Sequence, residues 1–562
     1  MKHLRRVVLI GFSGSGKSTV GTLLAARMGW SLIDTDADIA EAFGLSIPEI
    51  FASLGEDAFR RSERTALLAS LAADHAVVAT GGGAVVDETL WTDGLLRDPS
   101  TLVIALDARP ETVLARMLTQ QEREGSAVLR PMLAGDGPLA RTASLKQSRQ
   151  DVYDRASLTL VVDDSTPTQV ADEIAALIDA DAAVSQPARR LSAVSGSSDI
   201  VIAPGVVQHV GRLARSRWPT ARRAWIISDT NVGPLHGERV QASLAAAGFA
   251  PNLRCVPPGE GSKNWTCAGE LRDCLLDGGV ERGDMVVALG GGMVGDLAGF
   301  VASTALRGIG LVQIPTSLLA MVDSSVGGKT GVNHRTGTNL IGAFFQPPIV
   351  VIDPTFLRTL PRRELVSGWA EVIKHAIIQP STPGGELADL LPLLERNATA
   401  LTSLSEPATT HVIHRNVALK AAVVEADERE GGIRAFLNFG HTLGHAIEAS
   451  GYRHLHGEAV AVGIRAAMRI GLALNEVDRS EVARVDSLLD RYGLPARVEA
   501  DREQVLRTMV SDKKRDAGVQ RWILPIGGGG VGVRTGVDPS VVRGALDSVT
   551  FDGQKHGAGS TA

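Results

Sequence analysis

The stretch GFSGSGKST, residues 11–19, limits what this chain can fold into more than any other feature. It fits the pattern G-x-x-x-x-G-K-[S/T] and lies between an apolar run and a helical stretch, the context that the pattern requires. Glycines there turn backbone amides towards phosphate, and the helix start favours an anion. We therefore predict a parallel α/β unit that binds a nucleotide, with Lys17 on the outer phosphates and Ser18 on Mg²⁺. The phosphate-binding residues are expected to be Gly14, Ser15, Gly16, Lys17, Ser18 and Thr19.

Short β-branched runs alternate with helical stretches along much of the chain, which predicts parallel sheets with crossover helices. Residues 179–199 interrupt this alternation with a sequence rich in Ala, Ser, Pro and Gly, and from about residue 362 to near 490 the pattern is mostly helical. The fold class is therefore α/β throughout, with helices on both faces of the first sheet. The predicted segments are a phosphate-loop domain at 1–178, a linker at 179–199, an α/β lobe at 200–361 and a helical lobe at 362–562.

Composition narrows the class of protein. A chain of 562 residues is too long for one ordinary core, and a formal net charge of −6 without a basic bias argues against nucleic acid. No apolar run approaches the roughly 18 residues of a membrane span. The three cysteines, Cys255, Cys267 and Cys274, form no CxxC pair and fit a reducing compartment. We expect a cytoplasmic protein of several domains that binds neither nucleic acid nor membrane.

A second glycine-rich loop, VVALGGGMVGD at residues 286–296, has the spacing G-x-G-x-x-G at 290, 292 and 295. A strand pattern precedes it and a helical pattern follows, which favours a dinucleotide pyrophosphate over a bare turn. The acidic residue expected about 20 positions later is absent, so other residues must hold the ribose. The same spacing at 527, 529 and 532 has no helix after it, and there we predict a plain turn.

The stretch NFGHTLGHAIE, residues 438–448, puts His441, His445 and Glu448 at i, i+4 and i+7 on one side of a helix. Four of the 13 histidines fall between 441 and 456, which predicts metal binding; for His454 a structural role is expected. Zinc is suited to imidazole and carboxylate ligands. No glutamate follows the first histidine, so the HExxH peptidase machinery is missing. Together with the dinucleotide loop, the cluster favours hydride transfer from a zinc-bound hydroxyl.

Basic residues lie within the same glycine-rich and histidine-containing stretches. Their co-occurrence with these motifs predicts a pocket for an acidic, phosphorylated substrate. The residues concerned are Lys329, Lys374, Lys420, Arg434, Lys513 and Lys514.

The N-terminal segment resembles the shikimate kinases over about 170 residues, the length of one domain. After the phosphate loop, IDTDADI (33–39), IFASLGEDAFRRSE (50–63), TGGG (80–83), RPML (130–133) and RQDVY (149–153) follow in family order. The resemblance implies transfer of a phosphoryl group from ATP to shikimate. Ala40 stands where the family usually has glutamate. The implied roles are ring-hydroxyl binding and catalysis for Asp36, proximity to the metal for Asp34, binding of the shikimate carboxylate for Arg60 and Arg149, close backbone approach for Gly82, charge neutralisation from a lid for Arg130, and an adenine contact for Arg116.

The remainder resembles the 3-dehydroquinate synthases over about 350 residues. PPGEGSK (257–263), GGGMVGDLAGF, IPTSLLAMVDSSVGGKTGVN (314–333), NLIGAFFQP, WAEVIKHAII, DEREGGIRAFLNFGHTLGHAIE and LHGEAVAVG occur in family order. The resemblance makes 200–361 the NAD-binding lobe and 362–562 the metal and substrate lobe. It implies zinc ligands at Glu371, His441 and His456, with cobalt as an alternative metal, and His445 near the reacting ring. The implied NAD residues are Asp229, Gly259, Glu260, Lys263, Gly292, Asp296, Thr316, Ser317 and Lys329. The implied substrate residues are Asp323, Lys329, Asn339, Lys374, Lys420, Arg434, Asn438 and one of Lys513 or Lys514, with Lys514 preferred.

The implied synthase reaction acts on a heptulosonate phosphate. Oxidation of a ring alcohol acidifies the neighbouring C–H, phosphate leaves, the hydride returns, and ring opening with aldol closure gives the carbocycle. Lys329, Lys374, Lys420, Arg434 and His445 are expected to take part in catalysis beside the kinase residues Lys17, Asp36 and Arg130. The family is typically dimeric, with Arg307 reaching the neighbouring subunit's site. Thr338 and Ala305 depart from the family pattern, which has lysine and an aromatic residue there.

Three hypotheses follow from these patterns. The first is a bifunctional enzyme that carries two non-consecutive steps of the shikimate route. The second is a small-molecule kinase fused to a metal-dependent polyol dehydrogenase, which would accumulate NADH. The third is a sensor or scaffold whose N-terminal module only binds nucleotide, and it predicts a damaged acceptor site although Lys17, Asp36, Arg60 and Arg149 are all present.

Overall fold

The computed structural model describes residues 4–124, 137–163, 165–185, 187–385, 388–449, 454–513 and 520–551. Internal contacts divide the chain into two compact units, residues 1–182 (unit 1) and 183–562 (unit 2). Helix α8, given below with unit 2, crosses this division.

Unit 1 contains a parallel sheet whose described strands follow the order β2-β3-β1-β4-β5. Its central strand β1 is buried on both faces, as expected of a parallel strand covered by helices. This confirms the predicted α/β class, and the apolar run before the phosphate loop forms this strand. The strands are β1 (Arg6–Ile10), β2 (Ser31–Asp34), β3 (Ala76–Ala79), β4 (Thr101–Asp107) and β5 (Leu158–Val161). The helices are α1 (Lys17–Met28), α2 (Thr35–Phe43), α3 (Ile47–Leu54), α4 (Glu56–Ser70), α5 (Pro110–Glu124), α6 (Pro138–Tyr153) and α7 (Pro167–Ile178).

Unit 2 begins with a larger sheet of order β6-β7-β14-β11-β10-β8-β9, parallel except for the β6–β7 pair. The carboxyl ends of its parallel strands meet at one edge, where ligands bind in open α/β sheets. The strands are β6 (Arg189–Ala193), β7 (Gly196–Ile202), β8 (Arg223–Asp229), β9 (Ala250–Val256), β10 (Met285–Gly290), β11 (Gly310–Pro315), β12 (Lys329–His334), β13 (Gly337–Phe344), β14 (Ile349–Ile352), β15 (Val498–Glu499), β16 (Arg521–Pro525), β17 (Val531–Thr535) and β18 (Thr550–Phe551). The helices are α8 (Ala180–Ser185), α9 (Val210–Arg217), α10 (Val232–Ala246), α11 (Trp265–Asp277), α12 (Gly292–Thr304), α13 (Arg362–Ile378), α14 (Leu390–Thr402), α15 (Ala408–Ala426), α16 (His441–Glu448), α17 (His456–Ala473), α18 (Arg479–Arg491), α19 (Arg502–Lys513) and α20 (Pro539–Val549).

The segment predicted as a linker, residues 179–199, contains much regular structure. It holds α8, β6 and the start of β7, and β6 pairs with β7 in an antiparallel hairpin. The hairpin is fixed by a partner far along the chain, because the amide of Ser192 donates to Glu425 over 2.9 Å. The Ala, Ser and Gly content of this segment could not predict its contact with Glu425. The four segment boundaries themselves stay predictions.

The helical pattern predicted from about 362 to near 490 is confirmed by α13 to α18. The predicted turn around Gly527 and Gly529 is also confirmed, since it joins the antiparallel strands β16 and β17. Beyond α18 the lobe also contains the short strands β15 to β18 among its helices, which the helical pattern did not predict. None of the described helices combines the length and the apolar character needed to cross a membrane.

Two glycines let α17 approach its neighbours at backbone distance. A Cβ on Gly463 would lie 1.9 Å from the carbonyl oxygen of Gly440, directly before α16. A Cβ on Gly457 would lie 1.9 Å from the carbonyl oxygen of Ser367 in α13. No larger residue fits either position without moving a helix, so α13, α16 and the start of α17 are held together by backbone contact.

We predict that Gly463→Ala destabilises unit 2, because the added methyl overlaps backbone that cannot rotate away. Overpacking of this kind costs about 1–3 kcal/mol of unfolding free energy. Gly544→Ala is the matched control, since a Cβ on this α20 glycine meets nothing within 4 Å. That substitution should stabilise by about 0.5–1 kcal/mol, the helix preference of alanine over glycine. Chemical denaturation of the two variants checks the difference, and equal midpoints would contradict the packing argument.

Two candidate active sites

Lys17 lies at the first position of α1 and points back into the phosphate loop. Its Nζ donates to the carbonyl oxygens of Gly11 and Phe12, each over 2.9 Å, and the side chain is buried. Burial lowers the pKa of Lys17 to about 8, although Asp36 and Asp34 oppose the shift. A buried ammonium group held only by carbonyl oxygens favours an incoming anion.

The rest of the loop has the backbone geometry that phosphate binding needs. Gly14 and Gly16 have φ values of 81° and 97°, which other residues rarely adopt. Ser15 is buried, whereas Ser18 and Thr19 are exposed in the first turn of α1. The predicted phosphate-binding residues are thus together on one loop and one helix start.

The turn at residues 81–83, directly after β3, collects the predicted acceptor residues. Arg149 donates from Nη1 to the carbonyl oxygen of Gly82 over 3.0 Å. A Cβ on Gly81 would lie 2.6 Å from Oδ1 of Asp36, and one on Gly83 would lie 2.1 Å from Nη1 of Arg60. Two guanidinium groups and a carboxylate therefore meet around a turn whose glycines allow close approach.

Two side chains that sequence reasoning missed support this turn. Glu63 is buried and accepts from Nη1 of Arg60 over 2.6 Å, and burial raises its pKa against the opposing effect of Arg60. Tyr153 donates from its hydroxyl to the carbonyl oxygen of Gly82 over 2.6 Å. Both residues lie inside stretches that carried the kinase resemblance, which was the available signal.

The remaining predicted kinase residues are Asp34, Arg116 and Arg130. Oδ1 of Asp34 accepts from the amide nitrogens of Asp36 and Ala37 and so caps α2. Arg116 on α5 donates from Nη2 to the carbonyl oxygen of Val162 over 2.6 Å. Arg130 lies outside the described residues, as does the rest of 130–133.

In unit 2, the loop between β10 and α12 has the predicted strand–glycine–helix arrangement. A Cβ on Gly290 would lie 2.6 Å from Cβ of Val294, and one on Gly292 would lie 3.0 Å from Oγ of Ser324. The amide of Thr316, directly after β11, donates to the carbonyl oxygen of Gly290 over 3.0 Å. The neighbouring Ser317 lies beside Gly291. Two adjacent strand ends thus bring the predicted NAD residues together.

Lys263 joins the loop that follows β9 to α12. Its buried Nζ lies 2.6 Å from Oδ2 of Asp296. Burial raises the pKa of Asp296, and Lys263 opposes that shift. Gly259 precedes this loop with φ 93°, and Asp229 at the end of β8 caps α10 by accepting from the amides of Asn231 and Val232.

Asn333 is a third residue that sequence reasoning missed. Its Nδ2 donates to Oε2 of Glu260 over 2.8 Å, and its amide donates to the carbonyl oxygen of Lys263 over 2.7 Å. Its Oδ1 accepts from the amide of Asn339 over 2.9 Å. Asn333 therefore connects the predicted NAD loop with the predicted substrate residue Asn339, which has φ 57° on the β12–β13 hairpin.

The metal cluster consists of Glu371 from α13, His441 from α16 and His456 from α17, whose ligand atoms lie within 4.8 Å of one another. Oε1 of Glu371 is 3.2 Å from Nε2 of His456 and 3.5 Å from Nε2 of His441. Ligands of a tetrahedral zinc at about 2.1 Å would be about 3.4 Å apart. The donors therefore fit a zinc-sized cation with little movement. His454 instead bonds through Nε2 to the carbonyl oxygen of Glu499, as expected for a structural histidine.

The electrostatics of this cluster also suit a cation. Burial and Lys374 hold the pKa of His441 well below its usual range, so the imidazole is neutral, the form that binds metal. Burial would raise the pKa of Glu371, but Lys374 and the two imidazoles lower it further than burial raises it. Against burial, hydrogen bonds with Glu371 and Glu448 raise the pKa of His456 to about 10. The two carboxylates thus favour positive charge at His456, beside the position that a metal ion would take.

Two buried lysines lie near the metal cluster, and each is paired with a carboxylate. Lys374 pairs with Glu371, and Lys420 pairs with Asp323. Burial lowers the pKa of Lys420, an effect that Asp323 opposes, while Lys420 and Lys374 hold the pKa of Asp323 below its usual value despite burial. Burial and Lys374 also lower the pKa of the nearby His375 to about 3.

Arg434 is almost fully buried and, among the described residues, has no carboxylate at ion-pair distance. Its Nη1 and Nη2 donate to the carbonyl oxygens of Glu428 and Gly327, and its Nε has no hydrogen-bond partner in the described part of the chain. Burial lowers the pKa of Arg434. A buried guanidinium with an unused donor is suited to an anionic ligand.

Other predicted substrate residues lie further out. Lys329 is exposed at the start of β12 and pairs with Glu430, a fourth residue that sequence reasoning missed, although it lies in a quoted stretch. His445 is exposed on α16, with its ring 4.9 Å from that of His441, and Asn438 is exposed at the end of the turn before α16. Neither the side chain of Lys513 nor any part of Lys514 is among the described residues.

Comparison with known proteins gives matches over most of the chain. Residues 13–179 match the family model for shikimate kinase. Residues 254–367 match the model for the 3-dehydroquinate synthase N-terminal domain, and residues 368–515 match the model for its C-terminal domain.

Individual relatives agree with these models. The 3-dehydroquinate synthase of Symbiobacterium thermophilum is 44% identical over 358 residues, which covers 62% of this chain and 97% of the relative. That of Pelobacter propionicus is 46% identical over 330 residues, covering 58% and 90%. Among solved structures, 2-epi-5-epi-valiolone synthase from Streptomyces hygroscopicus subsp. jinggangensis, with NAD⁺ and Zn²⁺ bound, is 28% identical with a TM-score of 0.58, covering 64% of this chain and 99% of that one. The chain, which also carries a shikimate kinase domain, belongs to the 3-dehydroquinate synthase family.

Proposed function

We propose that this chain is a bifunctional enzyme of the shikimate pathway. Unit 1 transfers a phosphoryl group from MgATP to shikimate, giving shikimate 3-phosphate. Unit 2 converts 3-deoxy-D-arabino-heptulosonate 7-phosphate to 3-dehydroquinate and phosphate with NAD⁺ and zinc. The observation that carries the proposal is the convergence of Glu371, His441 and His456, from three helices, beside buried lysines in a chain of this family.

In unit 1, catalysis rests on positioning and charge. Lys17 exchanges its loop carbonyls for the outer phosphates of ATP, and Ser18 binds Mg²⁺. Arg60 and Arg149 bind the carboxylate of shikimate in the fork geometry of a guanidinium group. Asp36 orients or deprotonates the attacking hydroxyl.

In unit 2, bound zinc would make the ring hydroxyl more acidic, and bound NAD⁺ would accept the hydride from the carbon that bears this hydroxyl. Glu371, His441 and His456 hold the metal, while Lys263, Asp296, Thr316 and Ser317 line the dinucleotide site together with the glycine loop. The remaining residues position the substrate, which isomerises and closes within one pocket. Asp323, Lys374, Lys420 and Arg434 bind its hydroxyls, carboxylate and phosphate, with Lys329, Asn339 and Asn438 at the pocket mouth and His445 near the ring.

We further propose that the enzyme is a cytoplasmic homodimer formed through unit 2, with Arg307 reaching the partner's site. Leu306 and Arg307 are exceptional in having φ values of 48° and 70° in succession, directly after α12. Backbone strain of this kind persists where the surrounding structure holds it and often marks functional sites. This supports a role for the exposed Arg307.

An assay of both reactions on one preparation tests the proposal. We expect phosphate release from the heptulosonate phosphate with NAD⁺ and zinc, and phosphorylation of shikimate with MgATP. NADH should not accumulate, because the hydride returns to the substrate in every cycle. NADH formed in proportion to product would instead indicate a polyol dehydrogenase, and loss of both reactions would refute the proposal.

Lys17→Ala should lower kinase turnover by about 10²–10³-fold, the usual cost of removing one preorganised donor from a charged transition state. Synthase turnover should stay at the wild-type value, because Lys17 bonds only within its own loop in the described structure. Initial rates of both reactions on the same sample measure this. A parallel fall in the two rates would indicate that the units depend on each other.

His441→Ala is the reciprocal variant. This substitution should abolish stoichiometric zinc binding and synthase turnover while kinase turnover persists, because it removes one of the three protein ligands of the metal. His454→Ala is the matched control, because His454 bonds to a backbone carbonyl and takes no part in the metal cluster. Metal content by mass spectrometry separates the two, and zinc retained in His441→Ala would contradict the ligand assignment.

A further inference from the structure

Glu448 ends helix α16 and lies beside the metal cluster without belonging to it. Its Oε2 is 3.2 Å from Nδ1 of His456, while Nε2 of the same ring is 3.2 Å from Glu371. The imidazole of His456 therefore bridges two carboxylates, one at each nitrogen. The Nε2 side is the one in contact with the metal-cluster residue Glu371.

His441 has a matching arrangement with a different partner. Its Nδ1 lies 3.1 Å from the carbonyl oxygen of Phe439, and its Nε2 faces Glu371. An oxygen acceptor at Nδ1 fixes the proton there and leaves the lone pair of Nε2 for a metal. Both metal-binding imidazoles thus have an oxygen at Nδ1, but only His456 has a charged one.

We propose that Glu448 is a positioning residue for the zinc site of unit 2, acting through His456. This inference rests on the proposed function, because it assumes that Glu371, His441 and His456 bind zinc. The carboxylate holds the Nδ1–H tautomer of His456, orients the ring and makes Nε2 a stronger donor to the metal. Helix α16 then supplies the zinc ligand His441 from its first turn. Its last turn supplies Glu448, which supports the zinc ligand His456.

The position of Glu448 explains why this support comes from a side chain. His456 is the first residue of α17, so its ring has no helical turn before it to restrict its rotation. His441 follows Phe439 closely enough to use a local carbonyl, whereas His456 takes its acceptor from the preceding helix. The Glu448 contact therefore fixes a ring that the local backbone leaves free.

Zinc affinity, measured on the full-length protein by competition with a chromophoric chelator, tests the proposal. Glu448→Ala should weaken zinc binding by about 10–100-fold, the usual effect of removing such a partner. Glu448→Gln should restore affinity to within a few-fold of wild type, because its amide oxygen can accept the same hydrogen bond. With Co²⁺ in place of zinc, the visible ligand-field band should shift in the alanine variant and return in the glutamine variant.

Glu458→Ala is the matched control. Glu458 is also a glutamate of the α16–α17 region, but it bonds to the amide of Leu455 and to Arg363 rather than to His456. This variant should lose thermal stability while keeping zinc affinity within a few-fold of wild type. An equal loss of affinity in Glu458→Ala and Glu448→Ala would overturn the proposal, because the effect would then be one of local stability.

Two further outcomes would overturn it. The first is unchanged zinc affinity in Glu448→Ala when the wild type binds one zinc per chain. The second is binding of two Co²⁺ ions by the wild type with loss of one in Glu448→Ala, since His445, Glu448 and His456 themselves form a group able to hold a cation. A wild-type protein that binds no zinc would refute the proposed function instead, which keeps the two failures distinct.

Discussion

The organisation of unit 2 depends on the compensation of one buried charge, the carboxylate of Glu371. The side chain is fully buried, and an isolated charge there would cost several kcal/mol. Lys374, one turn further along α13, and the protonated His456 of α17 compensate it, and the neutral ring of His441 from α16 lies beside it. The helices must converge to do so, and the glycines at 457 and 463 allow that convergence. The charge that binds the metal is thus also a reason why these helices pack as they do.

Unit 1 uses the same principle with the opposite sign. Lys17 is a buried ammonium group whose direct partners are neutral carbonyl oxygens, and its pKa falls because burial outweighs two distant carboxylates. Each unit therefore keeps one ionised group away from water with incomplete local compensation. A phosphate group would offset the charge of Lys17, whereas a divalent cation would take the place of the His456 proton beside Glu371.

Sequence patterns predicted those parts of the structure in which the surroundings of a residue in the fold are set by its neighbours along the chain. The buried run of β1, the phosphate loop and the helices from 362 to 491 are of this kind. The β6–β7 hairpin was not predicted, because Glu425, more than 200 residues away, fixes it. Glu63, Asn333 and Glu430 were missed for a related reason. Their types are ordinary for exposed positions, and their importance comes from partners that only the folded chain brings near.

The charge balance around Glu371 narrows the class of substrate that unit 2 can accept. Glu371, Asp323 and Glu448 are ionised, Lys374, Lys420, Arg434 and His456 are positive, and His375 is neutral, so cations exceed carboxylates by one. The exposed Lys329 pairs with Glu430, so these two charges cancel. A divalent metal ion that replaces the proton of His456 raises the excess to two positive charges. A neutral polyol leaves that excess uncompensated, whereas a substrate with a carboxylate and a phosphate of charge about −1.5 to −2 offsets it. The electrostatics of the pocket therefore favour a sugar acid phosphate over an uncharged alcohol, independently of the family to which the chain belongs.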